Sequence, residues 1–518
     1  MAGPMYPRNG IGAAPSQGTP SPKLDDLNKT AGIIDTRLKE DTYPDVSDLI
    51  SRLETDQSRE RTDPKDTHVP FLQQDGFTDM SATISQQFDS LVCKSFMGFL
   101  PEIRRAWITV DHTLFLWNYE DPNSRPERDD DGEQIIVGVG LVKPAEGVFL
   151  EQIQHLLVVA TPLEISITGV AVDDAHYKKL ILYKTDLAIA ADNVSMVQIE
   201  GTEEGRIFMV GHNGQLYELA YQSEDGFFSR KIRKLNHSAT AMSVFIPTFF
   251  PWGKTDTVEK IAIDKARKLL YILRKDYQIE LVYLGADGSG FTRISKTKNL
   301  STDAQGKAER AHGRLDDRDF MVINIHPLKT TESTRFQLLA VTSSGHRLYF
   351  SCFDRPFEGQ QPTNLKLLAV RDPLSTQNHG NYSTEQYPFH TTYYSDGFLL
   401  GCKVLNDEVD RLVVTAPNCG AISQSIPKHW VEQCDSTDVK CRTQDIAEVI
   451  QKPRNLCFEK DPDLTFNELA LQLEYPPKKY SFLNTAGVAH YSTLRPIDIL
   501  CEALNNTQDF TKAKNLFN

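Results

Sequence analysis

The sequence repeats one pattern seven times: two apolar, β-rich runs joined by a tight turn. In the clearest copies the turn contains Asn213-Gly214 or Ser344-Gly345, whose glycines supply the positive φ that tight hairpins need. Further apolar runs before several hairpins, such as 258–263, predict four strands in each unit. The seven predicted turns lie, at unequal intervals, near residues 111, 162, 213, 276, 344, 407 and 486.

Seven units of one design favour a β-propeller, in which four-stranded sheets stand radially around an axis. Stacking hides both faces of most sheets, which explains why the strands read as near-continuous apolar runs. Two β-sandwiches are the alternative, but a repeated design favours ring closure. The Gly-His…Trp-Asp signature of WD40 repeats is missing. We therefore predict an all-β fold, an irregular seven-bladed propeller over residues 76–495.

The two flanks have a different character. Residues 1–75 are predicted to be a mostly disordered tail, because 1–22 is rich in Gly, Pro and Ser and 59–65 is a charge run. Within it, a short helix is predicted near 44–54, which docks on its own domain or, less often, on a partner. Residues 496–518 open with a proline and continue at helical spacing, so we expect a helical region there and a longer parent protein.

Composition and motifs point away from several functions. The net charge of −14 argues against a broad nucleic-acid-binding face. There is no apolar stretch typical of a signal peptide, and the eight cysteines form no C-x-x-C pair or Cys/His grid. Reduced, buried thiols in the cytosol or nucleus are therefore expected. No G-x-S-x-G, H-E-x-x-H or P-loop occurs, so we predict no catalytic, cofactor or metal site. The glycine-rich run at 285–290 is predicted to be a hairpin loop, since β-like sequence follows it.

One segment, 235–253, runs without any Asp, Glu, Lys or Arg and is flanked by basic residues. Bulky apolar residues follow helical spacing opposite a weakly polar Ser/Thr face, a composition typical of lipid-packing sensors. Pro247 would end such a helix after 235–246. From the residues alone, an inter-blade loop packed on a blade edge is the favoured alternative to membrane contact. The residues predicted to contact membrane are Leu235, Met242, Phe245, Ile246, Phe249, Phe250 and Trp252.

Three long strings resemble the nucleoporin 155/170 family: Asp41-Thr-Tyr-Pro-Asp-Val-Ser-Asp-Leu-Ile50, residues 106–121, and residues 474–482 continuing through 494–498. They are similar to the family's amino-terminal half, which implies a seven-bladed propeller followed by an α-helical solenoid beginning at 496–518. The resemblance also places the family's suggested membrane-contacting loop on residues 234–252.

The resemblance implies a structural role in the inner ring of the nuclear pore complex, at the nuclear envelope. Implied partners are linker nucleoporins, including the 53-kilodalton type, other inner-ring scaffold nucleoporins and the curved pore membrane, with no nucleic acid and no small-molecule substrate. None of the 26 phenylalanines is followed by glycine, which fits a scaffold better than a transport nucleoporin. The alternatives are a coat-like membrane adaptor outside the nuclear pore and, less favoured, a propeller enzyme with carboxylates around its channel.

Overall fold

The computed structural model describes residues 72–121, 123–130, 132–172, 179–223, 231–238, 257–310, 320–371, 387–417, 432–451, 476–495, 497, 498 and 501. These residues form seven four-stranded antiparallel sheets, which confirms the predicted seven-bladed propeller. Residues 1–71 of the predicted tail, including its predicted helix near 44–54, and most of 496–518 lie outside the described residues. The last four residues of the predicted tail, 72–75, belong to β1. The predicted solenoid therefore stays a prediction.

Each sheet is one blade, and the strands number in chain order. The chain enters through β1 (Leu72–Asp79) and helix α1 (Ala82–Phe88). Blade 1 contains β2 (Ser95–Leu100), a 3-10 turn (Pro101–Ile103), β3 (Arg105–Val110), β4 (Thr113–Trp117) and β5 (Glu127–Asp129). Blade 2 contains β6 (Gly138–Val142), β7 (His155–Ala160), β8 (Glu164–Val172) and β9 (Leu180–Ala190). Blade 3 contains β10 (Met196–Gly201), β11 (Ile207–Gly211), β12 (Leu216–Tyr221) and β13 (Ile232–Asn236).

The remaining blades follow the same order. Blade 4 contains β14 (Val258–Asp264), β15 (Leu269–Arg274), β16 (Ile279–Tyr283) and β17 (Thr292–Lys296), and helix α2 (Leu300–Arg310) follows it. Blade 5 contains β18 (Val322–Pro327), β19 (Leu338–Thr342), β20 (Arg347–Ser351) and β21 (Lys366–Arg371). Blade 6 contains β22 (Phe389–Ser395), β23 (Phe398–Asn406), β24 (Val409–Pro417) and β25 (Glu432–Lys440). Blade 7 contains β26 (Asp445–Glu448), β27 (Lys479–Asn484) and β28 (Gly487–Thr493).

All seven predicted turns are present, and each joins the second strand of its blade to the third. In blade 3, for example, Gly214 adopts a φ of 75° between β11 and β12. This conformation favours glycine because it has no Cβ. The loop at 285–290 joins β16 to the antiparallel β17, which confirms its prediction as a hairpin loop.

The ring closes through the amino-terminal strand. The first strands of neighbouring blades contact one another around the axis, including β26 of blade 7 with β2 of blade 1. The carboxyl-terminal part of the chain supplies three strands of blade 7, and β1 is the fourth. β1 pairs antiparallel with β28, from Leu72 opposite Thr493 to Asp79 opposite Gly487. The propeller thus begins at Leu72, earlier than the predicted residue 76, because the polar residues at the start of β1 hide its strand character.

A bulge recurs at the start of the first strand in four consecutive blades. Pairing skips one residue there in β10, β14, β18 and β22. In three of these strands the residue after the bulge hydrogen-bonds to the backbone of the next blade. Gln198 bonds both the amide and the carbonyl of Ile261 at 2.9 and 2.8 Å. Lys260 donates to the Ile323 carbonyl and Asn324 to the Thr392 carbonyl. Bulges re-aim side chains in this way, and here they join blade to blade.

The cores lie between blades, where apolar side chains of adjacent sheets pack together. One cluster runs from Tyr271 and Leu281 of blade 4 to Leu348 and Phe350 of blade 5, all fully buried. Between blades 2 and 3 the backbones come closer still. A Cβ on Gly138 would lie 2.1 Å from the Met196 carbonyl oxygen.

The expectation of buried thiols is only partly met. Cys352 and Cys402 are buried, and burial raises the pKa of each thiol to about 12. Cys93 and Cys501 are exposed, whereas Cys434 and Cys441 are half-buried. The prediction was based on the spacing of the cysteines, which carries no information on the exposure of each one.

Candidate functional site

The two faces of the propeller carry different connections between strands. One rim carries the seven turns between second and third strands together with the connections between blades, and we call it the turn face. Hydrogen bonds tie turns to connections there. Ile136 donates to the Asp111 carbonyl, Val258 to Gly214 and Phe389 to Ser343. The opposite face carries the connections between first and second strands and between third and fourth strands.

The first residues of the predicted membrane-contacting segment lie at the edge of the turn face. Leu235 is the penultimate residue of β13, and 37% of its surface is exposed. The predicted helix is wrong at its first residues, because Leu235 pairs with Glu218 of β12 and Asn236 pairs with Tyr217 in a sheet. The other predicted membrane-contacting residues lie outside the described residues: Met242, Phe245, Ile246, Phe249, Phe250 and Trp252.

Both ends of this segment attach to the turn between β11 and β12. At the entry, the amide of Leu216 donates to the Ser238 hydroxyl at 2.9 Å, and the amide of His237 donates to the Leu216 carbonyl. At the exit, the amide of Val258 donates to the Gly214 carbonyl at 2.8 Å. The described residues on either side of 239–256 therefore lie close to the same turn.

A charged cluster holds the entry point. Glu218 accepts from Arg206 at 2.7 Å and contacts the imidazole of His237 at 2.6 Å. Burial alone would raise the pKa of Glu218, but the hydrogen bonds from His237 and Arg206 outweigh it and lower the pKa to about 2. His237 also stacks on Phe291 of blade 4 with ring centroids 3.9 Å apart. No local sequence pattern marks this cluster, because Glu218 lies in β12, Arg206 and His237 lie just outside β11 and β13, and Phe291 belongs to blade 4.

The opposite face has a concave site between blades 2 and 3. Its cavity measures about 300 Å³. Val148 and Phe149 of the β6–β7 loop contribute apolar surface, and buried Leu187 of β9 lies beside them. An ion pair of 2.8 Å between Lys231 and Asp186 borders the site. A cavity of this size and mixed lining accepts one or two side chains of a peptide more readily than a whole cofactor.

Polar groups on the first strands bear on the enzyme alternative. Burial raises the pKa of Asp445 to about 6, lowers the pKa of His326 to about 3, and lowers the pKa of Lys260. Each has a structural partner, however: Asp445 accepts from the Phe99 amide, His326 contacts the Thr392 hydroxyl, and Lys260 donates to the Ile323 carbonyl. Within the described residues, no three His, Cys, Asp or Glu side chains are grouped to hold a metal ion.

No helix in the described part of the chain is long and apolar enough to cross a bilayer.

Comparison with known proteins identifies the family. The model of the nucleoporin family described as Nup133 N terminal like matches residues 68–490. The chain is 31% identical over 468 residues to a probable nucleoporin of Schizosaccharomyces pombe, covering 81% of this chain and 34% of that protein. It is 35% identical over 364 residues to the nuclear pore complex protein Nup154 of Drosophila melanogaster, covering 64% of this chain and 26% of that protein.

A solved structure agrees with these relatives. The crystal structure of the Chaetomium thermophilum Nup170 NTD–Nup53 complex is similar with a TM-score of 0.79 and 25% identity, covering 95% of this chain and 72% of that one. The chain spans about a third of the length of the curated relatives that it matches. These relatives are nucleoporins and not enzymes. The chain belongs to the Nup133 N-terminal-like nucleoporin family and is a Nup155/170-type propeller region.

Proposed function

We propose that this chain is part of a scaffold subunit in the inner ring of the nuclear pore complex, where it binds a linker nucleoporin of the Nup53 type and contacts the pore membrane. The observation that carries the proposal is the similarity along 95% of the chain to the Nup170 domain of a Nup53 complex. A closed ring with joined blades suits a scaffold, because it offers many loops and edges as fixed binding surface.

Linker binding and membrane contact use opposite faces in this proposal. The cavity between blades 2 and 3 suits an apolar anchor of an extended linker, since Val148 and Phe149 offer apolar contact and Lys231 and Asp186 offer polar partners at its border. The segment predicted to contact membrane attaches to the turn face. A linker in the cavity would therefore not compete with the lipid.

Linker binding is tested by calorimetric titration of the full chain with a purified Nup53-type linker. We expect a one-to-one complex and a loss of affinity of at least tenfold in Val148→Asp. Leu150→Asp is the matched control, because Leu150 lies in the same loop, is 71% exposed and does not line the cavity. A chain that fails to bind the linker at all would overturn the linker assignment. Equal losses in both variants would remove the cavity as its site.

Membrane contact is tested by flotation with small, highly curved phosphatidylcholine vesicles. We expect the chain to float and the combined variant Phe245→Asp, Phe249→Asp and Trp252→Asp to remain at the bottom of the gradient, since charged side chains cannot enter the apolar layer. Unchanged flotation of that variant would favour the alternative, in which 239–256 is a loop packed on a blade edge. In cells, nuclear-rim localisation of the tagged protein separates the pore scaffold from a vesicle-coat adaptor.

A further inference from the structure

Exposed apolar side chains are concentrated on the turn face. Of the ten large apolar side chains that are exposed in the described residues, three lie elsewhere: Leu150 and Ile450 on the opposite face and Tyr183 along β9. The other seven lie at turns, at strand starts or at strand ends of the turn face, and they are contributed by blades 1, 2, 3, 5 and 6: Leu91, Val92, Leu163, Val197, Leu235, Met321 and Tyr387.

Two of these positions are rigidly supported tips. The tip at Leu91 and Val92 precedes β2, and its backbone is fixed by Asp111 in the β3–β4 turn. The Asp111 carboxylate accepts from the amide of Val92 at 2.9 Å and from the amide of Cys93 at 2.8 Å. These contacts hold the backbone while 85% of the Val92 surface stays exposed.

The second tip is Leu163 in the β7–β8 turn of blade 2. The Thr161 hydroxyl accepts from the amides of Leu163 and Glu164, and the Leu163 carbonyl accepts from Ala191 at the start of the connection to blade 3. The Leu163 side chain is half exposed. Both tips thus present apolar side chains on backbones that hydrogen bonds already order, so insertion into an apolar layer costs little further ordering.

We propose that the turn face rests on a lipid surface and that Leu91, Val92 and Leu163 insert between lipid headgroups as contacts of blades 1 and 2, separate from residues 235–252 of blade 3. This inference rests on the membrane contact of the proposed function. It deepens that function by assigning lipid contact to described residues of blades 1 and 2 on the turn face.

The arrangement fits lipid better than a protein partner. A protein interface needs a contiguous, well-packed patch of about 800 Å² on each side, whereas these seven side chains are spread over five blades, with one or two on each blade. Exposed charges on the same face have mixed sign, with Lys94 and Lys275 against Asp89, Asp192 and Glu408. The face therefore lacks the basic character that attracts anionic membranes and suits shallow insertion into curved, neutral lipid.

The test is flotation of the full 518-residue chain with small phosphatidylcholine vesicles and with large vesicles of the same lipid. The variants are Leu91→Asp with Val92→Asp, Leu163→Asp, the three together, and the opposite-face control Leu150→Asp with Ile450→Asp. We expect about a tenfold loss of vesicle affinity in the triple variant, with unchanged thermal melting. We also expect wild-type affinity in the control and preference for small vesicles in every chain that floats.

The outcomes separate this inference from the proposed function. If the triple variant floats like wild type while the variant at Phe245, Phe249 and Trp252 does not, membrane contact stands and the broader lipid face is overturned. If the triple variant loses linker binding and keeps flotation, the tips form a protein interface and the lipid assignment is wrong. A wild-type chain that does not float overturns both proposals.

Discussion

The backbone amide of Phe99 donates a hydrogen bond of 2.8 Å to the Asp445 carboxylate and so joins the first strand of blade 1 to the first strand of blade 7. The amide of Ile446 donates to the same carboxylate at 2.8 Å. Asp445 therefore links the two blades that are most distant along the chain. Asp445 is half-buried in the first strand of its blade, near the axis.

Asp445 gives the ring a characteristic pH dependence. Burial raises its pKa from 3.8 to about 6. Between these values the folded chain keeps a proton that the unfolded chain releases, so this group lowers stability as pH rises from about 4 to about 6. In Asp445→Asn we expect the free energy of unfolding to rise relative to wild type across that window by about 2–3 kcal/mol, as measured by urea denaturation. Asp438→Asn, at an exposed carboxylate, is the control; parallel curves for Asp445→Asn and wild type would contradict the prediction.

Asp396 has the opposite effect on the pH dependence of stability. It bonds Lys329 of blade 5 at 2.8 Å and Lys478 of blade 7 at 2.5 Å. Burial opposes its ionisation, but the two lysines prevail and lower its pKa. Its contribution to stability is therefore present above the ordinary carboxyl pKa and is lost as pH falls through the lowered value.

Asp396→Asn should cost about 1–2 kcal/mol of unfolding free energy at pH 7, with a difference from wild type that shrinks towards acid pH. Asparagine is the informative replacement because Asp396 has a φ of 46°, a conformation that asparagine tolerates. The turn is then preserved and only the charge is removed. A pH-independent difference in denaturation experiments would mean that the turn, and not the ion pairs, carries the effect.

We expect Gln198 to contribute more to the stability of the fold than its half-buried position suggests. Its amide satisfies both the N–H and the C=O of Ile261 in the next blade. Gln198→Ala leaves both groups unpaired, which costs about 1–3 kcal/mol, and Gln198→Glu, which keeps only the acceptor, should fall between. Hydrogen exchange at the Ile261 amide is the direct readout, with the exposed Gln73→Ala as control. Protection that is unchanged in Gln198→Ala would disprove the link.

Two glycine-to-alanine substitutions should have opposite effects. At Gly138 the new Cβ would lie 2.1 Å from the Met196 carbonyl oxygen, so the backbones of blades 2 and 3 must separate. The overpacking cost is about 1–3 kcal/mol. At Gly306, inside α2, nothing lies within 4 Å, and alanine should stabilise the helix by about 0.5–1 kcal/mol. The melting temperatures of the two variants, compared with wild type, test both predictions. An unchanged melting temperature in Gly138→Ala would show that the two blades have room to adjust.

The sequence predicted the number of blades and the position of every central turn, because a tight turn between apolar runs is a local signal. It did not predict that β1 completes blade 7, since the pairing of Leu72 with Thr493 depends on ring closure and on no local pattern. Helix α2 was missed for a related reason: its sequence is mostly polar, and among its residues 300–307, whose burial is described, Leu300 and Ala304 alone are buried against the blades.

The candidate sites could be predicted from the sequence only in part. The apolar run after Leu235 marked the blade 3 segment, but the charged cluster of Arg206, Glu218 and His237 that holds its base combines residues that only the fold brings together. The same holds for Val92 and Leu163, each a single apolar residue in a turn. Their shared face follows from the up-and-down order of strands and was not visible until the ring was closed.

The pairing of β1 with β28 has a consequence for how the molecule is made and loaded. During synthesis β1 emerges first, yet its partner strand emerges only with the last blade, so the ring stays open until nearly the whole propeller has left the ribosome. Once closed, the segments before Leu72 and after Thr493 emanate from a single blade. A force that pulls on both segments would act on the pairing of β1 with β28 in blade 7 and not on the other six blades.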